Sequence, residues 1–457
     1  MAERFTIERR SIDVVPDAER HGSPRSQFTL WFGANMQITA VVDGALAVVF
    51  GADALWAIVG LLIGNLAGGI VMALHAAQGP RLGLPQMISS RAQFGVYGAI
   101  VPLVLVVLLY LGFAATGTVL AGQAINAAFG IDAPVVGIVV FGLLTAVVAV
   151  VGYRWIHAMG RIATVVGILG FTWLLIQLLA QYGLGSLLLQ KPFDAATFVL
   201  AISLGAGWQL TYGPYVADYS RYLPRDTPER TTFGATLAGS VIGSQWSMTL
   251  GALVAAVPAS TFLKSQVGFL GALAGGGVLA FAIYLVIVVG KLTVNCLNAY
   301  GGFMSLLTTV TSASGRDSVS RATRAVFIGG FVLVSVLIAL LASSDFLTSF
   351  KNFVLALLLV FTPWSAINLI DYYLVSKERV DVPALYDPDG RYGRWNALAL
   401  VTYGIGIAVQ IPFMAQTLYT GPFAAALGGA DLSWLVGLAV TAAIYYPLAR
   451  RRAVVPV

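Results

Sequence analysis

The sequence predicts an all-α integral membrane protein with twelve transmembrane helices, and three observations carry that prediction. Of the 457 residues, 58% are hydrophobic and only 10% charged, where a typical soluble domain carries about 25% charge; the mean hydropathy is +0.85. The apolar residues fall in long unbroken runs, such as 101–110 and 278–289, not in the short alternating segments of about ten residues that build a transmembrane barrel. The basic residues collect on alternate connections between those runs. A water-soluble globule of this composition would lack the polar surface to cover itself. An ordinary soluble enzyme, a disordered chain and a nucleic-acid binder are thereby excluded. The single cysteine, Cys296, excludes a disulfide framework, and three scattered histidines, His21, His75 and His157, give no metal cluster.

A hydrocarbon core of about 30 Å needs roughly 20 apolar residues per helix. The first 27 residues form an arm with five acidic side chains and five arginines, which is not the pattern of a cleavable signal peptide. The spans then read 28–50, 54–77, 96–129, 134–151, 162–181, 196–217, 233–257, 275–312, 322–343, 350–373, 396–414 and 432–449. The first is interrupted by Gly33-Ala34-Asn35-Met36-Gln37, which puts a glycine and two amides at mid-membrane. The second carries Gly60, Gly64 and Gly68 at every fourth residue, a close helix-packing stripe. The third and eighth are longer than a bilayer requires and are read as tilted or projecting. The fourth, fifth, seventh and ninth are ordinary apolar runs. The sixth is interrupted by Gly205-Ala206-Gly207-Trp208-Gln209-Leu210-Thr211-Tyr212-Gly213-Pro214, and the tenth contains Pro363 as a hinge candidate.

Cytoplasmic connections retain Lys and Arg. With twelve spans, 22 of the 26 basic residues fall on the side of the N-terminal arm and the C-terminal tail. Lys191, Lys264 and Lys351 fall on the other, and Lys291 lies inside span eight. The split places both termini in the cytoplasm of a multi-pass protein of the cell membrane. It also makes the net charge of +6 a topology signal.

The two breaks lie five spans apart. Inverted-repeat transporters hold substrate and ion at such paired discontinuous helices, near the midplane; the alternative is an ordinary glycine-rich packing face. Intramembrane charges are functional hypotheses by default, which singles out Lys291 and Asp43. A structural ion pair, or Lys291 snorkelling to an interface, is the competing explanation. A channel would want a charged ring or a repeated selectivity loop, a membrane enzyme a cluster of carboxylates or histidines, and an ATP-driven pump a Walker A sequence; none is visible. Asp218 and Arg221 read as a solvated pair or a gate, His75 as packing or relay, and Cys296 as a small apolar residue.

The loop Gly79-Pro80-Arg81-Leu82-Gly83-Leu84-Pro85-Gln86-Met87-Ile88-Ser89-Ser90-Arg91-Ala92-Gln93-Phe94-Gly95 resembles the signature of the nucleobase:cation symporter family, in its purine/cytosine permease branch. Three further stretches agree: Ile7-Glu8-Arg9-Arg10-Ser11-Ile12-Asp13 with Pro16 and Glu19-Arg20-His21-Gly22, then Asp218-Tyr219-Ser220-Arg221-Tyr222, and Pro363 with Ile370-Asp371-Tyr372-Tyr373. The resemblance implies a leucine-transporter-like 5+5 inverted repeat plus two C-terminal helices, with helices 1 and 6 discontinuous. The chain then divides into the arm 1–27, a first repeat 28–190, a second repeat 191–375 and a remainder 376–457. It also implies cation-coupled uptake by alternating access, spans three, four, eight and nine rocking against spans one, two, six and seven. The substrate would be a nucleobase, cytosine or a purine first, with hydantoin, allantoin, uracil and vitamin-like heterocycles as alternatives.

A nucleobase is a flat neutral ring with donors and acceptors on its edge. Binding it takes an aromatic face and carboxamides, which offer both kinds of group. By resemblance Trp208 and Gln209 in span six and Asn295 in span eight are the leading binding residues. Asn298, Thr211, Asn35 and Gln37 lie beside them in sequence or along a helix face. In span three, Tyr110 and Phe113 stand where many relatives have a Trp. For the coupling ion the resemblance points to carbonyls at the span-one break, Gly33 among them, and to span eight, where Thr293 is in register but Gly290 and Val294 offer no hydroxyl. Lys291 is expected to replace or modify a sodium site and Asp43 to take part in proton coupling. No cofactor is implied beyond Na+ or H+ as coupling ion, no metal beyond that sodium site, and no nucleic acid or obligatory protein partner; the partners are a small heterocycle and the lipid bilayer.

Overall fold

The computed structural model describes residues 13–151, 153–258, 261–314 and 321–453. Among them every regular element is a helix, and the β pairing is one isolated bridge between Ala415 and Thr420. Residues 7–12 of the N-terminal motif, together with Arg4, Arg9, Arg10 and Arg316, lie outside the described residues, as do the side chains of Arg154, His157, Arg161, Arg321 and Arg452.

Span one is two helices, α1 (Pro24–Asn35) and α2 (Ile38–Val49), bent by 61° at the break between them. Helix α3 (Ala54–Leu82) is span two. It starts where the Asp53 carboxylate caps Leu55 N at 2.9 Å and stops at Gly83, whose φ of 64° suits glycine. The signature loop folds into two short helices, α4 (Gln86–Ser89) and α5 (Arg91–Phe94), ahead of α6 (Ile100–Phe129). Helices α7 (Pro134–Val151) and α8 (Tyr153–Tyr182) follow. Span six is α9 (Ala195–Leu210), capped by Asp194; its helix ends at Leu210, and a 3-10 turn, Gly213–Tyr215, leads into α10 (Ala217–Ser220). Then come α11 (Glu229–Ala255), a short connecting helix α12 (Gln266–Leu273), α13 (Gly277–Ser314) and α14 (Arg321–Ala342). The chain closes with α15 (Phe346–Ile370), α16 (Ala397–Ala408), α17 (Pro422–Ala426) and α18 (Ser433–Ala453). Helix α13 has 38 residues, about 57 Å at 1.5 Å per residue, so it outruns a bilayer as its sequence length implied.

Five helical stretches among the described residues are long and apolar enough to cross a membrane, and the bent α1–α2 pair makes a sixth. One of these, Thr323–Val375, runs to 53 residues and contains two helices, α14 and α15, parted by the 3-10 turn Ser343–Asp345. The other expected spans coincide with helices that are shorter or more polar: α7, α9, α11, α16 and α18.

Packing divides the molecule into two groups. Helices α1, α2, α3, α9 and α11 pack on one another; α6, α7, α8, α13 and α14 form the second set; α15, α16 and α18 form an arm alongside. The glycine stripe makes the first group compact. A Cβ on Gly64 would collide with the backbone of Ile202 and lie 2.8 Å from Ala206 N, and one on Gly205 would lie 2.7 Å from Leu61 O. Here α3 and α9 touch backbone to backbone, as small residues allow inside a membrane. Leu62, Ile63, Leu66 and Ile70 face outward from α3, Leu143 and Val147 from α7, and Leu341, 82% exposed, from α14. Such a belt is an unusual surface for water and a suitable one for lipid.

Candidate substrate and ion site

The break in span one consists of Met36 and the extended Gln37 (φ −144°, ψ 155°). An interrupted helix frees carbonyls that must find other donors, and four near the end of α1 do. Trp31 O accepts from Asn35 Nδ2 at 2.7 Å and Gly33 O from Met36 N at 3.1 Å. Ala34 O accepts from Gln37 Nε2 at 2.9 Å. Asn35 O takes Gln37 N at 2.9 Å and the Ser247 hydroxyl at 2.8 Å.

The ends of α1 and α9 meet at Asn35. Its Oδ1 accepts from Trp208 Nε1 at 2.6 Å and from the Tyr212 hydroxyl at 3.0 Å, and its Nδ2 donates to Ser240 Oγ at 3.2 Å. Trp208 is 1% exposed. Phe113 meets its ring edge-on, with centroids 5.9 Å apart, and Tyr212 does so at 6.0 Å. Trp31, Tyr215, Tyr110 and Phe353 extend the aromatic cluster: Trp31 lies 5.1 Å from Tyr212, Tyr110 5.3 Å from Tyr215, and Phe353 5.2 Å from Phe113. Trp208, Phe113 and Tyr110, from three different places in the sequence, therefore join one aromatic wall.

Gln209 points away from that wall. Its Nε2 donates to Asn65 Oδ1 at 3.1 Å and Ser244 Oγ at 2.7 Å, and its Oε1 accepts from Ser240 at 2.6 Å. Its amide ties α9 to α3 and α11. Thr211 bonds back to Trp208 O at 2.7 Å, closing the end of α9. In span eight, Asn295 Nδ2 donates to Ala114 O at 2.9 Å and Thr118 Oγ1 at 3.1 Å across to α6. Its Oδ1, and Nδ2 of Asn298 three residues on, are buried without a hydrogen-bond partner among the described residues. An unpaired acceptor and an unpaired donor on neighbouring positions of one helix are what the edge of a small amide-bearing ring would satisfy.

Lys291 reaches the span-one break. Its Nζ donates to Gln37 Oε1 at 3.0 Å and to Thr39 Oγ1 at 2.6 Å, so it does not snorkel to an interface. Asp43 lies four residues beyond Thr39, hence on the same face of α2. It is fully buried, and neither carboxylate oxygen has a hydrogen-bond partner among the described residues. Thr293 Oγ1 bonds back to Val289 O at 3.0 Å. Gly33 is pressed against α8, where its Cβ would fall 2.8 Å from Thr164 Oγ1. Sequence reasoning missed Thr39, Asn65, Tyr212, Ser240, Ser244 and Ser247. The three serines did carry a signal, since 240, 244 and 247 share one face of an apolar helix.

The remaining motif stretches converge at the other end of the bundle. Asp218 Oδ1 accepts from Gln86 N of the signature loop at 2.8 Å. Gln93 of the same loop accepts from Asn368 at 3.0 Å, and Asn368 accepts from Gln78 at 3.0 Å. Gln93 Nε2 lies 3.4 Å from Asp371 Oδ1, while Asp371 Oδ2 accepts from the Tyr445 hydroxyl of α18 at 2.8 Å. His75 stacks on Trp364 at 4.6 Å, with Ser365 Oγ 3.2 Å from its Nε2. At the opposite end, burial alone would raise the Asp53 carboxyl. The backbone N–H groups of Lys191, Leu55, Leu189 and Gln190 outweigh it and hold the group below the usual carboxylate range. The surface also carries a cleft of about 410 Å³ between α6, α12 and α13, lined by Ala127, Gly271, Phe281 and Tyr284, away from the aromatic wall.

Comparison with known proteins places this geometry. A family described as permease for cytosine/purines, uracil, thiamine, allantoin matches residues 14–437. The Bacillus subtilis (strain 168) protein YxlA, which carries the name of a purine-cytosine permease, is 39% identical over 454 residues, 98% of this chain and 96% of that protein. The purine-cytosine permease fcyB of Emericella nidulans is 26% identical over 97% of this chain and 89% of its own length. The hydantoin permease of Microbacterium maritypicum is 24% identical over 90% and 85%. Among solved structures, the inward-facing conformation of Mhp1 aligns with a TM-score of 0.78 at 21% identity, covering 99% of this chain and 96% of that one. The closed conformation with bromovinylhydantoin bound, described as a nucleobase-cation-symport-1 family transporter, gives 0.75.

Proposed function

The chain belongs to the family of permeases for cytosine/purines, uracil, thiamine and allantoin, and from that premise we propose that it imports a nucleobase, cytosine or a purine, by proton-coupled alternating access. It is a transporter of the nucleobase-cation symporter type and not an enzyme. The observation that carries the substrate class is the aromatic wall around Trp208, held by Asn35 at the junction of the two interrupted spans, with the unpaired Asn295 and Asn298 amide atoms on α13. A flat ring stacks on the first and pairs with the second.

The same reading gives twelve crossings of the cell membrane with both termini cytoplasmic. It divides the chain into the arm 1–27, a first repeat 28–190, a second repeat 191–375 and a remainder 376–457, with spans one and six discontinuous. The two packing groups support a rocking motion of α1, α2, α3, α9 and α11 against α6, α7, α13 and α14. Asp43 is the group we assign to the coupling proton, because its oxygens have no hydrogen-bond partner among the described residues. Phe113 in place of a larger span-three aromatic favours a second reading, a hydantoin, allantoin, uracil or vitamin-like substrate.

Proteoliposomes holding the purified chain, under a proton gradient without sodium, test both readings. Counterflow of labelled cytosine or adenine establishes the first. Counterflow confined to the other heterocycles establishes the second, and none with any of the panel overturns both.

A further inference from the structure

Sodium is the coupling ion that the family resemblance first brings to the span-one break, and the residues there do not fit it. A sodium ion needs several oxygens whose lone pairs are free to point at one spot. At this break the carbonyls of Trp31, Gly33, Ala34 and Asn35 each already give a lone pair to a donor, from Asn35, Met36, Gln37 or Ser247, and Asn35 O gives both. On α13, Gly290 and Val294 bring no side-chain oxygen, and the Thr293 hydroxyl is turned to Val289 O. A basic side chain is present instead. The Lys291 ammonium lies 3.0 Å from Gln37 Oε1 and 2.6 Å from Thr39 Oγ1, touching the residue that forms the break and the first turn of α2. Gly117 on α6 makes room for it, since a Cβ there would sit 2.6 Å from Lys291 Cε.

We propose that Lys291 is a tethered cation that takes the place of a bound sodium ion at the hinge of span one, joining α13 to the α1–α2 break, so that this transporter binds its substrate without sodium. Charge-assisted hydrogen bonds in a dry interior are strong, and the ammonium uses two of them to span the two packing groups. A second cation at the same oxygens would meet both its repulsion and its donors. Lys291 is thus a positioning residue: it fixes the break whose Asn35 holds Trp208. The inference deepens the proposed function and rests on that reading for the substrate.

The test uses the purified full-length chain in detergent, with nucleobase binding and thermal midpoint measured in sodium chloride or choline chloride at equal ionic strength. In the wild type neither quantity should change when choline replaces sodium. A sodium-dependent gain in either overturns the proposal, and the midpoint arm reads this even if no nucleobase binds, which would be a failure of the functional reading instead. Lys291→Ala should weaken nucleobase binding about tenfold or more, and added methylammonium should restore it. Wild-type affinity in K291A without any added cation, or a loss that methylammonium does not restore, overturns the proposal. Should K291A not fold, the wild-type sodium arm decides alone.

Discussion

The indole N–H of Trp208 donates to the carboxamide oxygen of Asn35 at 2.6 Å, and Asn35 is the last residue of α1. One hydrogen bond therefore joins the end of one interrupted helix to the aromatic face presented by the other. The Tyr212 hydroxyl shares the same oxygen at 3.0 Å, so the geometry of the wall depends on a single amide.

Asn35→Ala would leave two buried donors unpaired, each costing about 1–3 kcal/mol. Nucleobase binding by N35A should fall by at least about tenfold, measured as competition for uptake in cells with matched expression. Trp208→Ala should abolish binding. Trp208→Phe, which keeps a ring and loses the N–H, should lie between the two. Wild-type uptake in W208A would remove the residue from the site.

Asn295→Ala removes the unpaired Oδ1 and also the donor to Ala114 and Thr118. Binding should be lost with expression intact. Asn295→Asp separates the two roles: it keeps an acceptor and removes the donor. If substrate pairs with Oδ1, N295D retains more binding than N295A in equilibrium dialysis.

Asp43→Asn bears on coupling alone. The neutral amide cannot take up and release a proton, so uphill accumulation driven by a proton gradient should disappear. Exchange of labelled for unlabelled substrate across the same liposomes should persist. Full accumulation by D43N would move the coupling proton elsewhere.

Asp53 gives a pH dependence with a definite sign. Its folded-state value lies below the usual carboxylate range, so its contribution is complete at neutral pH and is lost as pH falls through that depressed value. Asp53→Ala should lower the thermal midpoint at neutral pH, in keeping with a cap worth about 1 kcal/mol. The gap between wild type and D53A should close on strong acidification.

Much of this arrangement was legible in the sequence. The bend between α1 and α2 and the end of α9 at Leu210 fall where polar and glycine residues stand out inside apolar runs. Lys291 showed because it is the one basic residue deep inside a span. What could not be read was direction. Trp208 and Gln209 are adjacent, yet the first faces the aromatic wall and the second a network with Asn65, Ser240 and Ser244. A helix turns by about 100° per residue, and which side becomes a cavity depends on the neighbours. Thr39 was invisible for a similar reason. A hydroxyl in a span is common, and only the reach of Lys291 from 252 positions away gives it a role. The agreement between the signature loop, Asp218 and Asp371 was first a likeness of letters; in space the loop contacts both carboxylates.

The bond from Tyr445 to Asp371 bears on what a minimal version of this transporter could be. Asp371 sits just past α15, and its Oδ2 is served by a side chain from α18. Ending the chain before α16 would strip Oδ2 of this donor, leaving the carboxylate only its Oδ1 partners Gln93 and Ser376, and bare the sides of α15 that α18 covers. Helix α18 is thus a structural partner of α15, and a shortened protein should be engineered with Asp371 replaced before its terminal helices are removed.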